Sequence, residues 1–160
     1  SWVSEYYICP LFKVVKLFIP DNIFRNKKLR ERKSEEKKIS AKKEKELNKE
    51  QEQLLKEILK NPGKLFLLHG ITGSGKTEIY SRLAKEYVKK NRQVLILVPE
   101  ISLTPQMVEY FEKSTGEKAS VIHSRLSEGE RIRAWKDIRE KTAKIIIGSR
   151  SAIFSPFRNL

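Results

Sequence analysis

A chain of 160 residues is enough for one ordinary domain, or one domain with flanking fragments. Its 34 Lys and Arg against 20 Asp and Glu leave a net charge of +14, which points to a polyanionic partner, nucleic acid first and an anionic membrane surface second. One cysteine, Cys9, leaves no internal disulfide and no cysteine metal cluster, and suits a reducing, cytoplasmic setting.

No apolar run approaches the roughly 18 residues of a membrane span, because Lys13 and Lys16 interrupt the N-terminal one. The first residues are aromatic and acidic rather than basic, unlike a signal peptide, and the start at Ser1 without Met is that expected of a processed or excised piece.

Residues 1–20, SWVSEYYICPLFKVVKLFIP, form a short apolar stretch bracketed by Pro10 and Pro20 whose pattern does not separate helix from strand. It is too small to bury its own core, so it is expected to pack on something else. Residues 21–46 are nearly all charge, as in RNKKLRERKSEEKKISAKKEKE, and read as a solvated helix or disordered linker. Such a run is a plain spacer or, alternatively, an arm that touches nucleic acid.

From residue 47 to 160 helical and strand signals alternate. LNKEQEQLLKEILK has apolar residues at helical spacing, KLFLLH (64–69) is a short apolar strand, and TEIYSRLAKEYVKK is an amphipathic helix. QVLILVP (93–99) is a continuous apolar run of the length of a buried parallel strand. Thr104 as N-cap and Pro105 at the first helical position open PQMVEYFEK. ASVIH gives a third strand, Ser127 and Glu130 a capping box for the next helix, and AKIIIG a fourth strand. The rhythm predicts an α/β domain, a P-loop (RecA-like) parallel sheet with flanking helices, incomplete and preceded by the charged linker.

Between the first strand and its helix stands Gly70-Ile71-Thr72-Gly73-Ser74-Gly75-Lys76-Thr77, a full match to G-x-x-x-x-G-K-[ST]. A random chain of this length and average composition shows the pattern about once in 200, and the strand-before, helix-after placement tightens it. Glycines let the backbone turn its N–H groups onto phosphate, and the following helix aims its positive end at the same anion. Lys76 then reaches the β/γ-phosphates and the Thr77 hydroxyl ligates Mg²⁺.

Asn48 and Gln51 read either as a capping box or as a cap beside an adenine-reading glutamine, and one amide cannot fully serve both tasks. His123 at a strand end reads as structural, and Arg125, Arg131 and Arg133 as a solvated helix face. Trp135 reads as core rather than a base-stacking platform, and Cys9 as a small buried apolar group rather than a reactive one.

LNKEQ (47–51), LLHGITGSGKTEIY (67–80), LVPEISLTPQM (97–107), HSRLSEGER (123–131) and IIIGSRSAIFSPFRNL (145–160) together resemble the bacterial primosomal protein N′ family, the PriA replication-restart helicases. PEISLTPQ and GSRSAIF-P are far more specific than the phosphate loop alone. The N-terminal EYYICPL resembles the end of that family's N-terminal DNA-binding domain. The resemblance implies an ATP- and Mg²⁺-dependent superfamily 2 DNA helicase moving 3′ to 5′. It also implies action on single-stranded and forked DNA with primosome proteins in the bacterial cytoplasm, and no membrane. By this resemblance Gln51, Gly70, Thr72, Gly73, Ser74, Gly75, Lys76, Thr77 and Glu78 bind nucleotide, with Lys76 and Thr77 catalytic and Thr77 on magnesium. Pro99, Ser102, Thr104 and Gln106, and Ser149, Arg150 and Ser151, lie along the single-strand backbone. Hydroxyls and a cation at a helix start and a strand end suit that task, and equally suit ordinary capping and turns.

The family's pattern departs here in two places. It carries a winged-helix domain where this chain has only the charged stretch. Its acidic Walker B strand, second lobe and zinc module would lie past Leu160, so the 160 residues are expected to bind nucleotide without turning it over. A self-contained P-loop NTPase or kinase, drawing on Glu100 for magnesium, and a non-enzymatic nucleic-acid-binding module are the competing readings.

Overall fold

In the computed structural model of the chain, residues 2–6, 8–20, 23 and 46–160 are described. Apart from Ile23 and Glu46, the charged segment 21–46 lies outside the described residues. The N-terminal stretch forms two helices, α1 (Trp2–Tyr6) and α2 (Leu11–Phe18), the second starting directly after Pro10. Val14 and Pro20 are buried, and α2 touches the 3₁₀ helix Arg150–Phe154 near the end of the chain, so this stretch does pack on the domain that follows.

Helix α3 (Lys49–Lys60) begins in a complete capping box: Asn48 Oδ1 accepts from the Gln51 N–H, and Gln51 Oε1 accepts from the Asn48 N–H. Its apolar stripe, Leu54, Leu55, Ile58 and Leu59, is half-buried and rests on α4 (Lys76–Lys89). There follow β1 (Val94–Leu97), α5 (Pro105–Thr115), β2 (Ala119–Ile122), α6 (Glu128–Arg139) and β3 (Ile145–Gly148). Thr104 Oγ1 accepts from the Met107 N–H with Pro105 at the first position of α5, and Ser127 and Glu130 close the second capping box.

The sheet is parallel, in the order β1-β3-β2, with Val94 and Ala119 both registered on Ile145. Central β3 is fully buried at Ile145, Ile146 and Ile147. Ile145 and Ile147 join Ala84, Val88 and Phe111 in one cluster, while Ile146 alternates to the opposite face. β1 is an edge strand and only half-buried, with Leu97 exposed. Gly148 ends β3 where nothing larger fits: a Cβ there would collide with the Ile122 carbonyl oxygen and the Ala152 methyl.

One expectation fails. KLFLLH (64–69) pairs with no strand among the described residues; Leu65 is 100% and Leu67 93% exposed, while Phe66 and Leu68 are half-buried. The alternation survives, so the segment keeps a strand's one-sided pattern. A parallel strand needs a hydrogen-bonding neighbour, and β1 pairs with β3 rather than with this segment.

Candidate nucleotide-phosphate site and strand-end cleft

The loop between residue 70 and α4 is folded around the Lys76 ammonium. Lys76 Nζ donates to the carbonyl oxygens of Gly70 at 2.5 Å and Ile71 at 2.7 Å, with Ser74 Oγ at 3.5 Å. The Ser74 N–H closes a turn on Ile71 O at 3.2 Å. Gly75 caps α4 in the left-handed region, φ 85°, where a side chain is strained, and a Cβ there would stand 2.6 Å from Gln51 Nε2. The side chains of Thr72 and Thr77 are exposed.

The two ends of the Gln51 amide have different partners. Oε1 serves the cap, accepting from the Asn48 N–H at 3.0 Å, while Nε2 donates to the Ser74 carbonyl at 3.0 Å. The α3 N-terminus is thereby tied to the phosphate loop, a link no sequence pattern shows. Glu78 is otherwise committed: one carboxylate oxygen accepts from Arg82 Nε at 3.1 Å, the other from the Tyr110 hydroxyl at 2.6 Å. That half-buried bridge joins α4 to α5 and occupies the carboxylate of a residue for which the resemblance implies a nucleotide contact. Desolvation, and then the Glu78 carboxylate, push the Tyr110 hydroxyl above its usual value.

These residues fit a nucleotide's phosphates. An ammonium sits on two loop carbonyls, a left-handed glycine leads into a helix N-terminus, and the exposed Thr72 and Thr77 hydroxyls stand before and after that glycine. On the metal side Thr77 offers one hydroxyl. Among the described residues no group of three or more His, Cys, Asp or Glu could hold a metal.

A second feature lies at the ends of the strands. A cleft of about 670 Å³ is lined by Leu97, Val98, Pro99 and Glu100 after β1, Ser124 after β2, and Ser149, Arg150 and Ser151 after β3. Of the residues implied for DNA, it gathers Pro99, Ser149, Arg150 and Ser151. Ser102, Thr104 and Gln106 do not line it: the Thr104 hydroxyl is spent on the α5 cap, Ser102 is exposed in the chain leading into that helix, and Gln106 is exposed in its first turn. Ser149 N donates to Ile122 O at 3.1 Å, so the turn after β3 is clamped to β2, and the Ser149 and Ser151 hydroxyls stand 3.5 Å apart.

Ser124, which no motif singled out, joins the cleft together with Glu100, the residue that the self-contained NTPase reading would use for magnesium. Ser124 Oγ donates to Glu100 Oε1 at 2.5 Å, with Arg125 Nε 4.0 Å from the same oxygen. The Ser124 bond first, and Arg125 after it, hold Glu100 below the usual carboxylate range. His123 Nδ1 accepts from the Arg125 N–H at 3.2 Å, a turn-stabilising contact in line with the structural reading.

Residues 44–159 match the family described as Type III restriction enzyme, res subunit. The chain is also similar to curated replication restart proteins PriA. It is 52% identical to that of Bacillus subtilis over 97 residues, covering 61% of this chain and 12% of the relative. It is 44% identical to that of Haemophilus influenzae over 115 residues, covering 71% and 16%. With that of Rickettsia prowazekii it is 36% identical over 161 residues, covering 100% of this chain and 24% of the relative. It therefore spans between 12% and 24% of the length of these relatives. The P-loop parallel sheet, the match across 44–159 and the agreement with PriA sequences bear out the resemblance read from five stretches: the chain belongs to the Type III restriction enzyme, res subunit family and is a partial-length match to the replication restart protein PriA.

Proposed function

We propose that this chain is the phosphate-binding part of an ATP-dependent DNA helicase acting 3′ to 5′ in replication restart. The observation that carries the reading is the loop folded on Lys76, with the ammonium on the Gly70 and Ile71 carbonyls and the Gln51 amide holding Ser74. In this reading Lys76 transfers its hydrogen bonds from those carbonyls to the β/γ-phosphate oxygens, and the loop and α4 N–H groups surround them. The left-handed glycines Gly73 and Gly75 keep the backbone close enough to do so. Thr77 is the magnesium ligand, and Gln51 carries the adenine preference. ATP, once bound with Mg²⁺, supplies the free energy for strand movement. Turnover also needs an acidic metal ligand and a cation on the developing charge, which the loop does not provide, so residues 1–160 bind nucleotide rather than hydrolyse it.

Single-stranded and forked DNA is the proposed polymer partner, with primosome proteins beyond it and a cytoplasmic location. The strand-end cleft supports this, since Ser149, Arg150 and Ser151 offer hydroxyls and a guanidinium to a phosphate backbone. No described helix is long and apolar enough to cross a membrane. Zinc is proposed only for a module outside these residues. Glu100, on which a self-contained NTPase would draw, is already bonded to Ser124, which favours the helicase reading.

The experiment is fluorescence anisotropy of a labelled oligothymidylate on the full chain across a salt series. Binding that weakens steeply with salt is expected, with Arg150→Gln lowering the slope of log K against log salt by about 0.7 for one lost phosphate contact on a single strand. An unchanged slope removes Arg150 from the interface.

A further inference from the structure

A smaller cavity of about 260 Å³ adjoins the strand-end cleft. Ser124 and Ser151 line both, so the two spaces share a wall. Trp135 and Phe154 give the smaller cavity aromatic surface, Arg131, Lys16 and His123 give it basic groups, and among the described residues no carboxylate lines it. The larger cleft, in contrast, is lined by both Glu100 and Arg150. Arg139 lies over the Trp135 ring at 5.1 Å, which holds the indole in place. Chain order hides this grouping. β2 supplies Ile122 and the turn His123-Ser124, α6 supplies Arg131 and Trp135 one turn apart, and the 3₁₀ helix after β3 supplies Ser151 and Phe154.

Aromatic surface flanked by cations and hydroxyls is the chemistry of a nucleobase subsite. Every base has a π-face to stack, hydroxyls can donate to or accept from any base edge, and cations answer the flanking phosphates. We propose that this cavity takes one base of a single DNA strand whose backbone runs through the adjoining cleft, with Trp135 as the stacking surface and Arg131 and His123 at its polar rim. The proposal deepens the DNA reading of that cleft and rests on it. The base enters without sequence preference, because the side chains available stack and donate rather than match one donor–acceptor pattern. Backbone grip and base grip then act on the same nucleotide, which fixes where a strand stands relative to the strand ends.

The test uses the full chain with Trp2→Phe, which leaves Trp135 as its single tryptophan. A short oligothymidylate is compared with an oligonucleotide of equal length made of abasic units, so that the phosphates match and only the bases differ. The expected results are quenching of Trp135 by the thymidylate alone, and affinity at least about fivefold higher than for the abasic strand. Trp135→Leu should erase that difference while leaving the shared, salt-dependent binding in place. Arg131→Gln, at an exposed position, should narrow it, and circular dichroism checks that both variants fold. Equal affinity for the two strands, or quenching by both, overturns the base subsite while the cleft reading stands, and leaves the cavity to protein packing. Binding of neither strand overturns both. Thymidine monophosphate that quenches Trp135 as well as the strand does, at equal nucleotide concentration, overturns the strand assignment in favour of a free-nucleotide pocket.

Discussion

Replacing Gln51 by Ala tests the division of one amide between two tasks. The substitution removes the bond from the Asn48 N–H to Oε1 and the bond from Nε2 to the Ser74 carbonyl, each 3.0 Å long. The bond from the Gln51 N–H to Asn48 Oδ1 is backbone-donated and survives. Two neutral hydrogen bonds at about 1 kcal/mol each put the loss near 2 kcal/mol at most, since both groups left behind can reach water. For a chain of this size that lowers Tm by roughly 4–8 °C. The nucleotide effect separates the roles. If Nε2 turns its second hydrogen to adenine while Oε1 keeps its cap, ATP should weaken at least about tenfold and GTP much less, one selective charge-free contact being worth around 1.4 kcal/mol. Paired titrations of ATP and GTP on wild type and variant read this out, alongside a thermal melt. Equal weakening of both nucleotides would refute base reading and leave Gln51 as a brace for the loop.

Gly148→Ala should destabilise strongly, because its Cβ meets the Ile122 carbonyl and the Ala152 methyl at the end of the central strand. Overpacking of about 3 kcal/mol corresponds to a Tm drop of roughly 6–12 °C by calorimetry. Tyr110 should make the fold sensitive to alkali. Its folded value is raised by desolvation and by Glu78, so the folded state holds a proton that the unfolded state releases. That contribution is complete below the unfolded value near pH 10 and is lost as pH rises through the folded one. Denaturant melts between pH 9 and 11, roughly, should show a fall that Tyr110→Phe flattens.

Both capping boxes, the Thr104-Pro105 helix start and the phosphate loop were legible because each is local: a few adjacent residues satisfy one another's hydrogen bonds. The sheet was legible as strands but not as an order, since β3 lies between β1 and β2 only once the chain has crossed back. KLFLLH shows the limit of periodicity. A two-residue alternation predicts which side of a strand is apolar, yet pairing is decided by a neighbour that periodicity does not contain.

Gln93 shows another limit. Nothing in QVLILVP marks its first residue, but the buried amide donates to the Ile138 and Ala143 carbonyls at 2.7 and 3.2 Å and accepts from the Arg158 N–H at 3.0 Å. It fastens the end of α6, the approach to β3 and the C-terminal segment. The same holds for Ser124, unremarkable alone and placed in the cleft by the return of three strands to one end, and for Trp135, read as core but only half-buried and lining the adjoining cavity. Glu78 sits within the loop's run of residues, and only packing reveals that its carboxylate belongs to Arg82 and Tyr110.

Isothermal titration of ADP with Mg²⁺ into the 160-residue chain and its Lys76→Ala variant tests the central claim most directly. The ammonium that now rests on Gly70 and Ile71 is assigned to phosphate oxygens, and a charge-assisted hydrogen bond is worth roughly 1.5–3 kcal/mol, about ten- to a hundredfold in affinity. The account predicts measurable binding by the wild-type chain and a loss of at least about tenfold in the variant. Equal affinity of the two would contradict it.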